Sequence, residues 1–207
     1  MNKRILIFAS GRGSNAEALH EAAVDGTIKG RIVGVICDHH DAPVLQRAER
    51  WKVPATVIEM KTCRDKADYN EKILEAAKSY APDLICLAGY MRICGENLIK
   101  AFENRIINVH PSLIPSFCGE GFYGLRVHEA ALAKGVKVTG ATVHFVSEVV
   151  DGGAIIAQKA VEVENGDTPE TLQKRVMQNA EWILLPQAVS DFCAGRLRVD
   201  GAIVHKN

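Results

Sequence analysis

The sequence lacks three features that would each point to a particular class of protein. Its 25 Lys and Arg residues balance 25 Asp and Glu residues, so a polyanion-binding surface is not expected. The longest apolar runs, such as Leu84–Ala88, fall far short of the ~18 residues that a membrane-spanning helix needs. No cationic and apolar signal segment precedes the strand-like run that begins at Ile5. We therefore expect a cytoplasmic protein with small-molecule substrates and with no nucleic-acid or membrane partner.

The six cysteines include no C-x-x-C pair. Several lie in apolar stretches, as Cys86 does, so buried reduced thiols are favoured over disulfides or zinc ligands. The segment Cys37–His40 (CDHH) could supply metal ligands, but the sequence offers no second ligand pair to complete a site. We expect no metal.

The first half of the chain alternates strand and helix patterns. A length of 207 residues suits one domain, which we expect to cover residues 1–207. Strand patterns occur at Arg4–Ala9, Ile32–Cys37, Ala55–Ile58, Leu84–Ala88 and Ile106–Val109. The first of them is an apolar run of the kind that is typical of a strand buried on both faces of a parallel sheet. Because helical patterns separate these strand patterns, we predict an α/β fold with a doubly wound, mostly parallel sheet, similar to a Rossmann fold.

The second half has a different pattern. Val138–Val146 and Ala154–Val163 follow each other with only a loop between them, which predicts that the sheet ends in antiparallel strands. Thr168 followed by Pro169 is typical of a helix start. We expect that helix to run to about Cys193, with a kink at Pro186.

A glycine-rich turn, Gly11–Asn15 (GRGSN), follows the first predicted strand and opens the first helix. Its glycines permit a tight turn, and the free N–H groups of a helix start attract an anion, although an ordinary capped turn would look the same. With Ala16, the turn also fits G-x-G-x-x-A, and Asp38 has the spacing of a ribose-binding acid. A dinucleotide-binding oxidoreductase or sensor that uses Gly11, Gly13 and Asp38 is therefore an alternative to a phosphate-binding turn.

Asn108 and His110 are the strongest candidates for catalysis. They alternate with Ile107 and Val109, so both polar side chains leave the strand on one face, at the carboxyl end where ligands bind in open α/β sheets. An amide can stabilise an oxyanion, and an imidazole can exchange a proton near neutral pH, as acyl transfer requires. Asp151 begins an Asp-Gly-Gly turn and could orient a histidine, but spacing alone does not connect it to His110.

Several motifs together resemble those of the phosphoribosylglycinamide formyltransferases, which are folate-dependent enzymes of purine biosynthesis. The motifs occur in family order across essentially the whole chain, and they are Gly11–Asn15, Leu87–Ile93 (LAGYMRI), Asn108–Pro115 (NVHPSLIP), Thr142–Val146 (TVHFV) and Val150–Gly153 (VDGG).

The resemblance implies formyl transfer from 10-formyltetrahydrofolate to the amine of glycinamide ribonucleotide. Asn108 and His110 would stabilise a tetrahedral intermediate, and Asp151 would orient His110 and assist proton transfer. The implied ribonucleotide-binding residues are Gly13, Ser14, Asn15, Gln178, Asn179 and Glu181. The implied folate-binding residues are Lys66, Met91, Arg92, Ile93, Cys94, Asn108, Ser147, Glu148, Val149, Val150 and Asp151. His144 matches a family histidine near the site, although a structural role is also open to it.

Three departures from the family pattern affect these assignments. The segment Ser116–Leu125 is longer and more aromatic than is common, and we expect it to be a mobile flap. Trp182 follows Glu181 where histidine is usual, and one residue is added just before them. Lys66 stands where arginine is common, which removes bidentate binding of a carboxylate. We expect a monomer or a homodimer.

Two other folate enzymes share the Asn, His and Asp core. A methionyl-tRNA formyltransferase would carry a further basic domain, and a formyltetrahydrofolate hydrolase would carry a regulatory domain before the first strand. The sequence favours neither, but hydrolysis of formyltetrahydrofolate stays open as an alternative.

Overall fold

The computed structural model describes residues 2–207. They group into two compact units, of which the first extends to Ile107 and the second begins at Asn108. The expected single domain over residues 1–207 stays a prediction, and each unit is described by itself. No helix within the described residues is long and apolar enough to cross a membrane.

The first unit alternates strands and helices, as predicted. Its strands are β1 (Lys3–Ala9), β2 (Gly30–Cys37), β3 (Ala55–Val57) and β4 (Leu84–Leu87). Its helices are α1 (Ser14–Val24), α2 (Pro43–Arg50), α3 (Lys66–Ser79) and α4 (Glu96–Ala101), with a short 3-10 turn at Met60–Thr62. A further strand, β5 (Ile106–His110), begins at the end of this unit.

The strands of the first unit lie in the order β3-β2-β1-β4. All three pairs in this set are parallel. The chain therefore winds from β1 outwards to β3 and then resumes on the other side of β1. In an open α/β sheet, the carboxyl ends of the two strands beside such a reversal, here β1 and β4, are the usual place for a ligand. The turn Gly11–Asn15 and the segment Met91–Cys94 follow those two strands.

Burial explains why the strands of this unit have continuous apolar sequences. The side chains of Ile5–Ala9 are fully buried, as are those of Leu84–Cys86. Helix α3 buries Tyr69, Ile73 and Ala77, which lie on one face at helical spacing. Strands covered on both faces need apolar residues at every position, and this produces runs without alternation.

The second unit contains most of the antiparallel structure. Its strands after β5 are β6 (Val138–Phe145), β7 (Ile155–Glu162), β8 (Leu197–Asp200) and β9 (Ile203–Lys206). Its helices are α5 (Leu125–Lys134), α6 (Pro169–Val176) and α7 (Trp182–Cys193). Strand β6 pairs antiparallel with β7, so this prediction is confirmed. The predicted fold class, a mostly parallel sheet ending in antiparallel strands, is likewise confirmed.

The C-terminal hairpin was not predicted. Strands β8 and β9 pair antiparallel, and β9 is parallel to β7 at Ile203 and Ile155. Asp200 is the last residue of β8, and the two-residue turn after it begins at Gly201, which has a φ of 57°. A Gly in this conformation after Asp is a strong hairpin signal.

The long helix predicted from Thr168 to Cys193 is two helices. Thr168 does cap α6, through a hydrogen bond from the Thr171 backbone N–H. However, a π-helical turn at Met177–Glu181 separates α6 from α7, and α7 then continues through Pro186. The π-turn is the physical reason for this correction, because its hydrogen bonds span one residue more than those of an α-helix and so interrupt the regular helical pattern.

Candidate active site

Strand β5 brings Asn108 and His110 to its carboxyl end. Ile107 and Val109, on either side of Asn108, are buried, and His110 is only 5% exposed. Pro111 follows at once, and the strand ends. This is the arrangement that the alternation of apolar and polar residues indicated.

His144, on the neighbouring strand β6, contacts Asn108. The Asn108 Nδ2 atom lies 3.2 Å from His144 Nε2, and His144 Nδ1 lies 2.8 Å from the Phe145 carbonyl oxygen. A carbonyl can only accept, so Nδ1 carries a proton, and Nε2 then accepts from the Asn108 amide. The register of β6 against β7 shifts between Val143 and His144. Such bulges are common beside active sites, where they redirect a side chain.

Asp151 sits in the loop between β6 and β7, in a strained backbone conformation. Its φ is 54°, a region that few residues other than glycine adopt, although aspartate tolerates it better than most. The two glycines after it are required by close packing. A Cβ on Gly153 would lie 1.8 Å from the Phe145 carbonyl oxygen, and one on Gly152 would lie 2.7 Å from Val149 Cγ1. The Asp-Gly-Gly sequence therefore fits a tightly packed loop that presents Asp151.

The carboxylate of Asp151 lies between two histidines. Its Oδ2 atom is 3.4 Å from His110 Nδ1, and its Oδ1 atom is 3.5 Å from His144 Nε2. The Asp151 side chain is 8% exposed. Burial acts to raise the pKa of this carboxyl, but the polar contacts around it, among them the hydrogen bond from the Gly119 N–H, outweigh burial and hold the pKa below its ordinary value. Asp151 is therefore ionised at neutral pH.

The segment after β5 covers this cluster through backbone groups. The Phe117 carbonyl oxygen accepts from His110 Nε2 at 2.9 Å, and the Gly119 N–H donates to Asp151 Oδ2 at 2.9 Å. Phe117 has a φ of 50°, which is unusual for a bulky residue. Burial lowers the pKa of His110, against the opposing effects of the Asp151 carboxylate and the Phe117 carbonyl. His110 is therefore largely neutral in the free protein at neutral pH.

This cluster has the chemical groups for transfer of an acyl group. Asn108 presents an amide donor, which can stabilise an oxyanion without changing its own charge. His110 and Asp151 can hold or pass a proton. The structure brings the predicted trio together by way of His144, but their catalytic roles stay predictions.

At least one residue of the glycine-rich turn, Gly13, has to be glycine for structural reasons. Gly13 has a φ of 73°, and a Cβ there would lie 2.5 Å from Val44 Cγ2 on α2. Its carbonyl accepts from the Glu17 N–H, which begins α1. The N-terminal end of α1, with Ser14 and Asn15 in its first turn, thus follows the carboxyl end of β1.

The predicted folate-binding residues lie in four places along the chain, one of which is Asn108 on β5, described above. On the loop after β4, Met91 and Ile93 are each 54% exposed. Lys66 is exposed at the start of α3. In the second unit, Val149 is 68% exposed and Val150 is 37% exposed. Large apolar side chains that stay exposed are typical of a ligand-binding surface, but the assignment of these residues to a folate is untested.

The late-helix residues predicted to bind the ribonucleotide lie in the π-turn. Gln178 and Asn179 are exposed, whereas Glu181 is buried. A helical pattern in the sequence does not predict a π-turn, so the positions of these three side chains could not be predicted from it. Their assignment is likewise untested.

Asp38 does not have the geometry of a ribose-binding acid. Its side chain is fully buried, and its Oδ2 atom accepts from Arg92 Nε at 2.9 Å. His39 Nδ1 lies 2.9 Å from Asp38 Oδ1, and His40 pairs with Glu59. The polar residues after β2 thus bind other protein groups, which argues against both the dinucleotide and the metal interpretation of this segment.

The sequence is similar to those of a known protein family. The family model described as formyl transferase matches residues 3–189. The phosphoribosylglycinamide formyltransferase of Bacillus subtilis (strain 168) is 41% identical over 174 residues, which are 84% of this chain and 87% of that protein.

Solved structures agree with the sequence match. The glycinamide ribonucleotide transformylase 1 of Symbiobacterium toebii superimposes with a TM-score of 0.94 at 40% identity, covering 99% of this chain and 94% of that chain. A formyltetrahydrofolate deformylase of Pseudomonas syringae pv. tomato superimposes with a TM-score of 0.89 at 25% identity, covering all of this chain and 66% of that one.

The fold and the polar cluster at the end of β5 define an α/β enzyme with the groups for acyl transfer. More particularly, the chain belongs to the formyl transferase family.

Proposed function

We propose that this enzyme transfers a formyl group from 10-formyltetrahydrofolate to the amino group of glycinamide ribonucleotide, a step of purine biosynthesis. The observation that carries the proposal is the cluster of Asn108, His110, His144 and Asp151 at the end of β5. The similarity to enzymes named for this reaction supports the choice of substrates. The expected cytoplasmic location stays a prediction.

The first chemical step is addition. The amine nitrogen forms a bond to the formyl carbon, and the carbonyl π electrons move to oxygen, which becomes an oxyanion. The Asn108 amide donates to that oxygen. The contact with His144 fixes the orientation of the amide before the substrate binds. A donor already in place stabilises the developing charge without reorganisation, an effect worth about 3 to 4 kcal/mol in well-studied cases.

The second step is proton transfer and collapse. Asp151 accepts the proton that the attacking nitrogen must lose, and it returns that proton to the folate nitrogen as the bond from that nitrogen to the formyl carbon breaks. The oxyanion electrons return to the carbonyl, and formyl-glycinamide ribonucleotide and tetrahydrofolate are formed. The ionised state of Asp151 in the free protein suits it to accept a proton first.

His110 can contact the substrate only after the segment Ser116–Leu125 releases its Nε2–H. Its Nε2–H is bound by the Phe117 carbonyl in the free protein. On our proposal, substrate binding displaces this carbonyl, and the N–H turns to the formyl oxygen beside the Asn108 amide. The low pKa of His110 fits a group that is neutral at rest and gains affinity for a proton only as the oxyanion forms.

The substrate phosphate is proposed to bind the N-terminal end of α1, at Gly13, Ser14 and Asn15. Backbone N–H groups at a helix start, with the helix dipole, favour a phosphate. The loop Met91–Cys94 is proposed to bind the folate through backbone groups and through its exposed apolar side chains.

A single assay tests the proposal. Purified protein should release tetrahydrofolate from 10-formyltetrahydrofolate only when glycinamide ribonucleotide is present, with one formylated product for each tetrahydrofolate. Release at the same rate without the ribonucleotide would instead establish a hydrolase, the alternative suggested by the similarity to a formyltetrahydrofolate deformylase. No release under either condition would rule out both reactions.

A further inference from the structure

The buried Asp38 carboxylate lies at the carboxyl end of β2, outside the cluster described above. Its side chain has no exposed surface, while that of its partner Arg92 is 43% exposed. Removing a carboxylate from water is costly unless charged and hydrogen-bonding partners replace the lost solvent. Burial acts to raise the pKa of Asp38, but bonds from Ser10, His39 and Arg92 outweigh it and hold the pKa below its ordinary value. Asp38 is thus a buried, ionised anchor.

The partners of Asp38 converge on the loop Gly89–Cys94, which follows β4. Arg92 belongs to this loop and binds Asp38 Oδ2 directly at 2.9 Å. Ser10 forms the second connection, because its hydroxyl bonds to Asp38 and its Oγ accepts from the Met91 backbone N–H at 2.8 Å. The Ser10 N–H also donates to the Gly89 carbonyl at 3.1 Å. Asp38 therefore holds the loop through a side chain and through its backbone.

The same loop is fixed from its inner side. The Tyr90 hydroxyl lies 2.6 Å from the Tyr69 hydroxyl, and the Tyr90 ring packs edge-on against Phe8 at 5.2 Å between centroids. In contrast, Met91 and Ile93 are each 54% exposed. The loop thus has a rigidly bound inner face and an apolar outer face that the first unit does not cover.

We propose that Asp38 is a positioning residue for the loop Gly89–Cys94 and thereby sets the affinity for the pterin-bearing co-substrate. This inference rests on the proposed function, which assigns the folate to the loop. A loop held in its binding conformation before the ligand arrives avoids the entropy cost of ordering on binding. A carboxylate suits the role because its charge complements the Arg92 guanidinium, whose Nε donates to Asp38 Oδ2.

A neutral replacement at Asp38 separates this role from general stability. Asp38→Asn keeps the shape and an acceptor for Ser10, but it loses the charge that holds Arg92. We expect the KM for 10-formyltetrahydrofolate to rise roughly tenfold, with kcat and the KM for glycinamide ribonucleotide within about twofold of the parent. Hydrogen exchange in peptides that cover 89–94 should become faster, with little change elsewhere.

Asp83→Asn is the matched control. Asp83 is also a carboxylate at a strand end in the first unit, where it accepts from the Arg4 N–H at 2.8 Å and pairs with Lys3. It lies before β4, whereas the loop lies after it. Its replacement should leave the folate KM and the exchange of 89–94 unchanged, even if it lowers the melting temperature.

The possible outcomes separate this inference from the proposed function. If the parent forms no formylated product, the proposed function fails, and binding of 5-formyltetrahydrofolate by calorimetry then tests Asp38 without turnover. The inference is overturned if the parent does not bind that probe, or if Asp38→Asn leaves both the folate affinity and the exchange of 89–94 unchanged. It is also overturned if Asp38→Asn raises both KM values equally, or if Asp83→Asn gives the same effects.

Discussion

Asn108 and His144 form a pair in which the histidine determines which way the amide points. The His144 Nδ1–H is used by the Phe145 carbonyl at 2.8 Å, so Nε2 is left to accept from Asn108 Nδ2 at 3.2 Å. One amide hydrogen is thereby committed, and the other stays available to a substrate oxygen. The tautomer of a buried histidine on β6 thus sets the function of an amide on β5.

Replacing His144 should reduce the rate rather than the affinity. In His144→Phe, Asn108 loses the acceptor that orients its amide, and we expect kcat to fall roughly tenfold or more while both KM values change little. Steady-state kinetics with each substrate varied will measure this. His205→Phe, a replacement of an exposed histidine on β9, is the control and should be near parental. A His144→Phe enzyme with parental kcat would show that the orientation of Asn108 does not depend on His144.

Asp151→Asn should remove activity and keep the loop intact. Asparagine tolerates the positive φ of 54° and can still accept from the Gly119 N–H, so only the charge and the proton affinity are lost. We expect kcat to fall roughly 100-fold or more, with the melting temperature nearly unchanged. Asp167→Asn, which removes a carboxylate paired with Arg175 on α6, is the charge-matched control and should keep its activity. Substantial activity in Asp151→Asn would contradict the proposed proton transfer.

The sequence was sufficient to find two members of this cluster. Asn108 and His110 alternate with buried Ile107 and Val109, so their shared face and strand-end position follow from the period of a strand. Asp151 could not be connected to them by spacing, since it lies 41 positions after His110 in a loop. The resemblance to a family supplied that connection, and the 3.4 Å distance between Asp151 and His110 agrees with it.

The contacts made by Phe117 and Gly119 could not have been predicted. Both act on the cluster through backbone atoms, which every residue has, so the sequence carries no specific signal for them. The π-turn at Met177–Glu181 was hidden for a related reason. A helical pattern does not distinguish a π-turn from a regular α-helical turn. The β8–β9 hairpin, in contrast, was detectable from Asp200 and Gly201.

His110 should titrate below the ordinary histidine pKa of 6.5 in the free protein. Burial lowers its pKa, and the Asp151 carboxylate acts in the opposite direction. Removal of that carboxylate in Asp151→Asn should therefore lower the pKa of His110 further. Nitrogen and carbon NMR titration of the imidazole will measure both values, with Asp167→Asn as the unaffected control. A pKa above 6.5 in the parent, or a rise in Asp151→Asn, would contradict the environment described for His110.

His128 should make the fold less stable in mild acid. Its ring is fully buried on α5, and neither nitrogen has a hydrogen-bond partner within the described residues. Burial, followed by the nearby His110, lowers its pKa from 6.5 to about 4. In the unfolded chain His128 binds a proton below about pH 6.5, whereas in the folded protein it does so only below about pH 4. The free energy of unfolding should therefore fall as the pH drops through this window.

The magnitude and the matched variants make this dependence measurable. Each pH unit across the window is worth about 1.4 kcal/mol, so the loss attributable to His128 approaches about 3 kcal/mol. His128→Leu removes the titrating group and two unpaired polar atoms at similar volume, so it should be more stable than the parent at pH 5 and show a flatter dependence on pH. Urea unfolding at several pH values between 4.5 and 7.5 will show this, with His205→Leu as the exposed control. An unchanged slope in His128→Leu would mean that other groups cause the acid sensitivity of the fold.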